Sequence, residues 1–159
     1  MMKFSSQSLK ETQILATKLA EALVHHRQPV CIALNGTLGV GKTAFTKSLA
    51  MGLGITEEVV SPSFAILQDY EGIVPLLHSD FYRLEERDLL HLGLEEQLED
   101  FDGIVVIEWA EKFPAIMPLG YVEIQISLED GHRHWTVIAH DSSLLPLLEE
   151  WKLLVEDVL

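Results

Sequence analysis

The chain has 159 residues, 48% of them apolar, and its 25 acidic against 11 basic side chains leave a net charge of −14. That supplies one core and excludes a disordered chain, and no apolar run nears the ~20 residues of a membrane span. The charge opposes phosphate backbones, which proteins grip mainly with Lys and Arg, so a free-standing nucleic-acid binder is disfavoured. Met1 to Ser8 carries one lysine and no apolar stretch, so no signal peptide is expected, and a single cysteine, Cys31, cannot close an internal disulfide. A reducing, cytoplasmic home without membrane contact is the expectation.

In chain order, Leu15, Leu19 and Leu23 recur at helical spacing between Ser8 and His26, with Ser8 and Glu11 in the relation of a capping box. Val30 to Leu34 is a short apolar run between Pro29 and a glycine-rich stretch, which suits a buried strand. A second helix is predicted from Gly41 to about Leu53, closed by Gly54. Phe64–Tyr70 and Ile73–His78 read as a hairpin turning tightly at Glu71-Gly72. Glu85 to Leu98 reads as helix broken at Gly93. Ile104 to Ile107 is a run of four β-branched residues, expected in a strand buried on both faces. Tyr121 to Leu128 places Val122, Ile124, Ile126 and Leu128 on one face, and Asp130-Gly131 turns it into His132 to Ala139. Ser142 to Leu159 is expected to be an acidic helix capped by Asp141 or Ser142. No repeat or linker divides the chain, so residues 1–159 are read as a single domain of α/β class.

The segment Gly36-Thr37-Leu38-Gly39-Val40-Gly41-Lys42-Thr43 fits G-x-x-x-x-G-K-[ST] without a mismatch, between a predicted strand and a predicted helix. Glycines let the backbone curl so that N–H groups face phosphate oxygens, and the helix adds the positive end of its dipole. Four fixed positions arise by chance in roughly one chain in a hundred or fewer of this length. Leu38, Gly39, Val40, Gly41, Lys42 and Thr43 are therefore the candidate nucleotide-binding residues. Lys42 would reach the β- and γ-phosphates and Thr43 would bind Mg²⁺. Such a loop needs an acidic partner at a strand end. Glu108 directly follows Ile104-Val105-Val106-Ile107, and Asp80 follows Leu76-Leu77-His78-Ser79. Either could hold Mg²⁺ or orient water, and the residues alone do not divide those roles.

Absences narrow the class. Asn35 is the only asparagine, so there is no N-K-x-D guanine-reading motif, and four arginines, Arg27, Arg83, Arg87 and Arg133, are few for a kinase lid. A minimal ATPase is what remains. Arg133, just past the Asp130-Gly131 turn, is a candidate for reaching the nucleotide, against a solvated strand residue. Arg83 could contact phosphate or a partner, against a surface salt bridge. His132, His134 and His140 complete no obvious metal set, and Cys31 reads as core.

Together, GTLGVGKT at Gly36 to Thr43, Ser61-Pro62-Ser63-Phe64, His78-Ser79-Asp80-Phe81-Tyr82-Arg83, Leu92-Gly93-Leu94-Glu95-Glu96 and Ile107-Glu108-Trp109-Ala110-Glu111-Lys112 resemble the bacterial TsaE (YjeE) family in order and spacing. The resemblance implies a P-loop NTPase-like fold, with a mostly parallel central sheet flanked by helices and antiparallel edge strands. It implies an ATPase, with ATP and Mg²⁺ as cofactors, required for threonylcarbamoyladenosine formation on tRNA. In that family the chain acts through the TsaD–TsaB pair, meets tRNA only through that complex and does not transfer the threonylcarbamoyl group itself. The family roles fall on Lys42 and Thr43 at the phosphates and metal, on Asp80 and Glu108 as the acidic pair, and on Trp109 beside them. Ser63 stands where the family often has Thr, keeping a hydroxyl. The competing readings are a nucleotide-gated adaptor with incidental hydrolysis and a small-molecule kinase.

Overall fold

A computed structural model describes residues 1–37, 39–60, 67–91 and 93–159, without the side chains of residues 90 and 91. Among the described residues, seven strands form one sheet in the order β1-β7-β6-β2-β5-β4-β3. These strands are β1 (Met2–Ser6), β2 (Val30–Asn35), β3 (Leu67–Tyr70), β4 (Leu76–Asp80), β5 (Ile104–Glu108), β6 (Val122–Glu129) and β7 (His132–Ala139). The four central strands, β6, β2, β5 and β4, run parallel, and β1, β7 and β3 are antiparallel to their neighbours. This is the expected mostly parallel sheet with antiparallel edges.

Helices α1 (Leu9–His26), α2 (Lys42–Gly52) and α5 (Leu145–Glu156) cover one face through a core that includes Leu15, Leu19, Phe45, Leu49, Ile32, Leu34, Val106 and Trp151. The short helices α3 (Glu86–His91) and α4 (Leu94–Asp100) lie toward the other face, where Leu94 and Leu98 pack with Ala33, Leu77, Val105 and Ile107. Helices on both faces explain why β2 and β5 are apolar at successive rather than alternate positions. Each fully buried Leu or Ile there contributes about 1.5–3 kcal/mol.

Ser8 caps α1, accepting from the Glu11 N–H at 3.2 Å. The Glu11 carboxylate reaches back to the Gln7 N–H at 3.1 Å, one residue short of an ideal capping box. Gly93 separates α3 from α4, as the sequence predicts. No helix among the described residues is long and apolar enough to cross a membrane.

One strand was not foreseen and three expectations need correction. The N-terminal residues, for which no element was predicted, form β1, which pairs with β7 from Met2↔Val137 to Ser6↔Arg133 and is fastened where Trp135 Nε1 donates to Ser6 Oγ at 2.9 Å. The hairpin of β3 and β4 exists, but β4 starts at Leu76. Pro75 has no N–H to give the ladder, and the Ile73 N–H is spent on the Leu53 carbonyl at 2.8 Å, so Glu71-Gly72 alone does not make the turn. The part of this hairpin read at Phe64 to Ile66 lies outside the described residues. Leu128 follows the alternation of Val122, Ile124 and Ile126 but is 53% exposed, because β6 there runs beyond the core. Finally, the last helix begins at Leu145, after a 3₁₀ turn over Ser142–Leu144 that Asp141 caps. Pro146 fits the first turn of a helix and would break one begun at Ser142.

Candidate functional site

Strand register assembles the site. Leu34 of β2 stands opposite Glu108 of β5, and Glu108 stands opposite Asp80 of β4, so both acids lie in one row at the carboxyl edge of the sheet. The glycine-rich loop leaves β2 at this edge, where open α/β sheets bind their ligands. It returns as α2, whose first residue is Lys42 and whose N-cap, Gly41, supplies no side-chain hydrogen bond. The first N–H groups of an 11-residue helix are thus left to whatever the loop encloses.

At Gly36 the chain passes so close to β6 that a Cβ would lie 2.7 Å from the Ile126 carbonyl oxygen and 2.9 Å from Val40 Cγ1. Only glycine permits that approach. Arg133, at the start of β7, donates from Nε to the Val40 carbonyl at 2.7 Å, tying the β6–β7 hairpin to the loop. Leu38 lies outside the described residues; Gly39, Val40, Gly41, Lys42 and Thr43 all belong to the described part of the loop and helix.

Lys42 is 5% exposed. Its Nζ donates to the Gly36 carbonyl and lies 3.7 Å from the centre of the Trp109 ring. Burial holds its ammonium below the usual lysine range, against the opposing pull of Glu111, Glu108 and Asp80. A desolvated cation held by a carbonyl and a ring face is matched to an incoming anion. Trp109 is presented by a left-handed backbone, φ +61°, that turns the chain out of β5. Its N–H donates to the Leu34 carbonyl at 3.1 Å, and its ring packs on Tyr82 with centroids 5.0 Å apart.

Glu108 is 2% exposed. Thr43 Oγ1 donates to its Oε1 at 3.3 Å, and its Oε2 is 2.5 Å from Nε2 of His78, a residue wholly inside β4. Asp80 accepts the Tyr82 N–H on Oδ1 at 2.9 Å, and its charge acts on Lys42. Thr43, Glu108 and Asp80 are hard oxygen donors of the kind Mg²⁺ prefers. Among the described residues no three His, Cys, Asp or Glu side chains form a metal cage. Mg²⁺ beside a nucleotide does not need one, since phosphates and water complete its shell. The glycine cradle, the buried Lys42 and this donor set therefore fit a polyphosphate with Mg²⁺. A cavity of about 340 Å³ also opens on Asn35 and Gly36, but Glu111 and Glu123 line it, which disfavours phosphate there.

Of the other residues singled out, Arg83 is exposed, and His140 pairs with Glu123 at 2.8 Å and stacks on Tyr121. Cys31 is core, as expected, with its thiol pushed up to about 12 by burial. The Ser61–Phe64 segment, with the Ser63 substitution, lies outside the described residues. Sequence reasoning assigned no role to His78. The available signal was its place two residues before Asp80, which puts both on one strand face.

Fold and loop together define a nucleotide-binding protein of the P-loop type. A family profile described as "Threonylcarbamoyl adenosine biosynthesis protein TsaE" matches residues 6–135, and the chain belongs to the TsaE family. Proteins named tRNA threonylcarbamoyladenosine biosynthesis protein TsaE are similar to it. The one from a Nostoc species is 45% identical over 122 residues, covering 74% of this chain and 75% of the relative. Those from Treponema pallidum (38%; 86% of this chain, 99% of the relative) and Bacillus subtilis (36%; 94% and 92%) match over greater lengths. The crystal structure of Bacillus subtilis YdiB superposes with a TM-score of 0.77 at 30% identity, over 95% of this chain and 93% of that one.

Proposed function

We propose that this protein is an Mg²⁺-dependent ATPase required for threonylcarbamoyladenosine formation on tRNA, acting in the cytoplasm through the TsaD–TsaB pair and not transferring the threonylcarbamoyl group itself. Family membership supports the pathway. The observation that carries the chemistry is the convergence of Lys42 and Thr43, at the start of α2, with Glu108 and Asp80 on one sheet edge.

In this reading the backbone from Gly39 to Thr43 cradles the phosphates, and Leu38 is carried as a nucleotide-binding residue on the motif alone. Lys42 leaves the Gly36 carbonyl for the β- and γ-phosphate oxygens. Arg133 holds the loop through Val40 and lies close enough to Gly41 to reach the nucleotide, since a Cβ there would meet its Nε at 3.1 Å. Trp109 walls the site beside Lys42. Thr43 would hold Mg²⁺ together with Glu108 or Asp80, and the other acid would orient the attacking water. When bound, Mg²⁺ would supply positive charge that offsets the negative charge developing as the terminal phosphate bond breaks. The excess acidity of the chain fits a protein that leaves tRNA contact to its partners.

The test is the Mg²⁺-dependent ATPase rate of the purified protein, alone and with TsaD–TsaB, against Lys42→Ala. Stimulation by the pair that vanishes in the variant is expected. Phosphate transfer to a metabolite rather than to water would replace this reading with a kinase.

A further inference from the structure

Glu108 is held asymmetrically. Oε1 faces Thr43 Oγ1 at 3.3 Å, toward the start of α2, while Oε2 is drawn 2.5 Å from His78 Nε2, inside the sheet. His78 lies on the strand face that carries Leu76 and Asp80, one strand away from Val106 and Glu108, and it is completely buried. Among the described residues its Nδ1 has no hydrogen-bond partner. A buried polar atom without a partner costs stability, and a leucine would suit the apolar surroundings of Leu76 and Val106 better. Among the described residues the ring's one hydrogen bond goes to Glu108, and core packing does not account for it.

We propose that His78 is a positioning residue. Its Nε2–H fixes one oxygen of Glu108, so that the other is presented to Thr43 and the metal. This deepens the ATPase reading and rests on it. Without the Nε2–H donor the carboxylate is free to rotate about its terminal torsion, which has no deep staggered wells of its own. Loss of a partner that orients a metal-site ligand typically costs about 10–100-fold in activity or metal affinity.

Three substitutions separate positioning from bulk. His78→Leu removes the donor, His78→Asn keeps polarity but is too short to reach Glu108, and His78→Gln sets an amide N–H near the place of Nε2. The readouts are kcat and KM for Mg²⁺·ATP, the Mg²⁺ concentration for half-activation, and fluorescent ADP binding in EDTA. The expected result is a loss of about 10–100-fold in kcat, or a matching rise in the Mg²⁺ requirement, for Leu and Asn. Gln should recover most of that loss, and metal-free ADP binding should be unchanged in all three. Should His78→Leu fail to fold, the Asn–Gln pair carries the same comparison. Equal activity of the Asn and Gln variants, or a Leu variant as active as the wild type, would overturn the inference alone. A wild-type protein that binds nucleotide but never hydrolyses it, with or without TsaD–TsaB, would overturn the ATPase reading and this inference with it.

Discussion

Two glycines of the same loop should respond differently to the same change. Alanine at Gly36 places its Cβ 2.7 Å from the Ile126 carbonyl oxygen, whereas carbon–oxygen contacts settle at about 3.3 Å or more, so a gap of about 0.6 Å must open. Ile126 is fixed in β6, opposite Trp135 of β7, and cannot yield without moving the ladder. Overpacking of that kind costs about 1–3 kcal/mol, and the backbone at φ +154° adds ~1 kcal/mol. A chain of this size loses about 2–4 °C of Tm per kcal/mol, so Gly36→Ala should melt roughly 5–15 °C below the wild type. Among the described residues a Cβ on Gly39 meets nothing within 4 Å, leaving only the left-handed backbone at φ +77°, a cost of about 1–2 kcal/mol. Thermal unfolding of the nucleotide-free variants, followed by far-UV circular dichroism, measures the contrast. If Gly39→Ala is destabilised as much as Gly36→Ala, or more, the close approach to β6 is not what requires glycine at position 36.

Lys42→Ala should abolish nucleotide binding in an ADP titration, and cells carrying only that variant should lack the tRNA modification. Glu108→Gln should still bind ATP while hydrolysis falls about 100-fold or more, as for loss of a catalytic carboxylate. If cells living on that variant modify tRNA normally, hydrolysis is incidental and the protein is a nucleotide-gated adaptor. Cys31 makes a pH prediction. Its folded pKa is raised to about 12 against ~8.5 in the unfolded chain, so between those values the folded state binds more protons and stability falls as pH rises. That part of the alkaline loss should be missing in Cys31→Ala, and equal slopes for the two proteins in urea melts at pH 8 and pH 10 would count against it. Native Cys31 should also resist a thiol reagent at pH 8 until the protein is unfolded.

The local code of this chain is strong where a physical constraint acts on neighbouring residues. β2 and β5 were legible because a strand covered on both faces must be apolar at each position, and α1 because its apolar spacing and Ser8 cap coincide. The phosphate loop was legible for the same reason, since glycines, lysine and threonine must occupy fixed steps along one turn. The edge strand β1 and the exact turn into β4 were not legible. β1 owes its strand to pairing with β7 and to the Trp135–Ser6 bond, neither visible in Met2–Ser6 itself. The turn before β4 depends on Leu53 taking the Ile73 N–H from another part of the chain.

The acidic pair divides along the same line. The sequence by itself placed Glu108 and Asp80 at strand ends, because a polar residue closing an apolar run has to leave the core. Only the parallel register of β2, β5 and β4 set them side by side, facing a loop more than 35 positions earlier in the chain. Register is also what brought His78 to Glu108 and folded Trp109 back over Lys42. Such contacts join residues 30 and 67 positions apart, and no local spacing encodes them. They follow from which strands lie adjacent, and that is decided by burying both faces of the sheet at once.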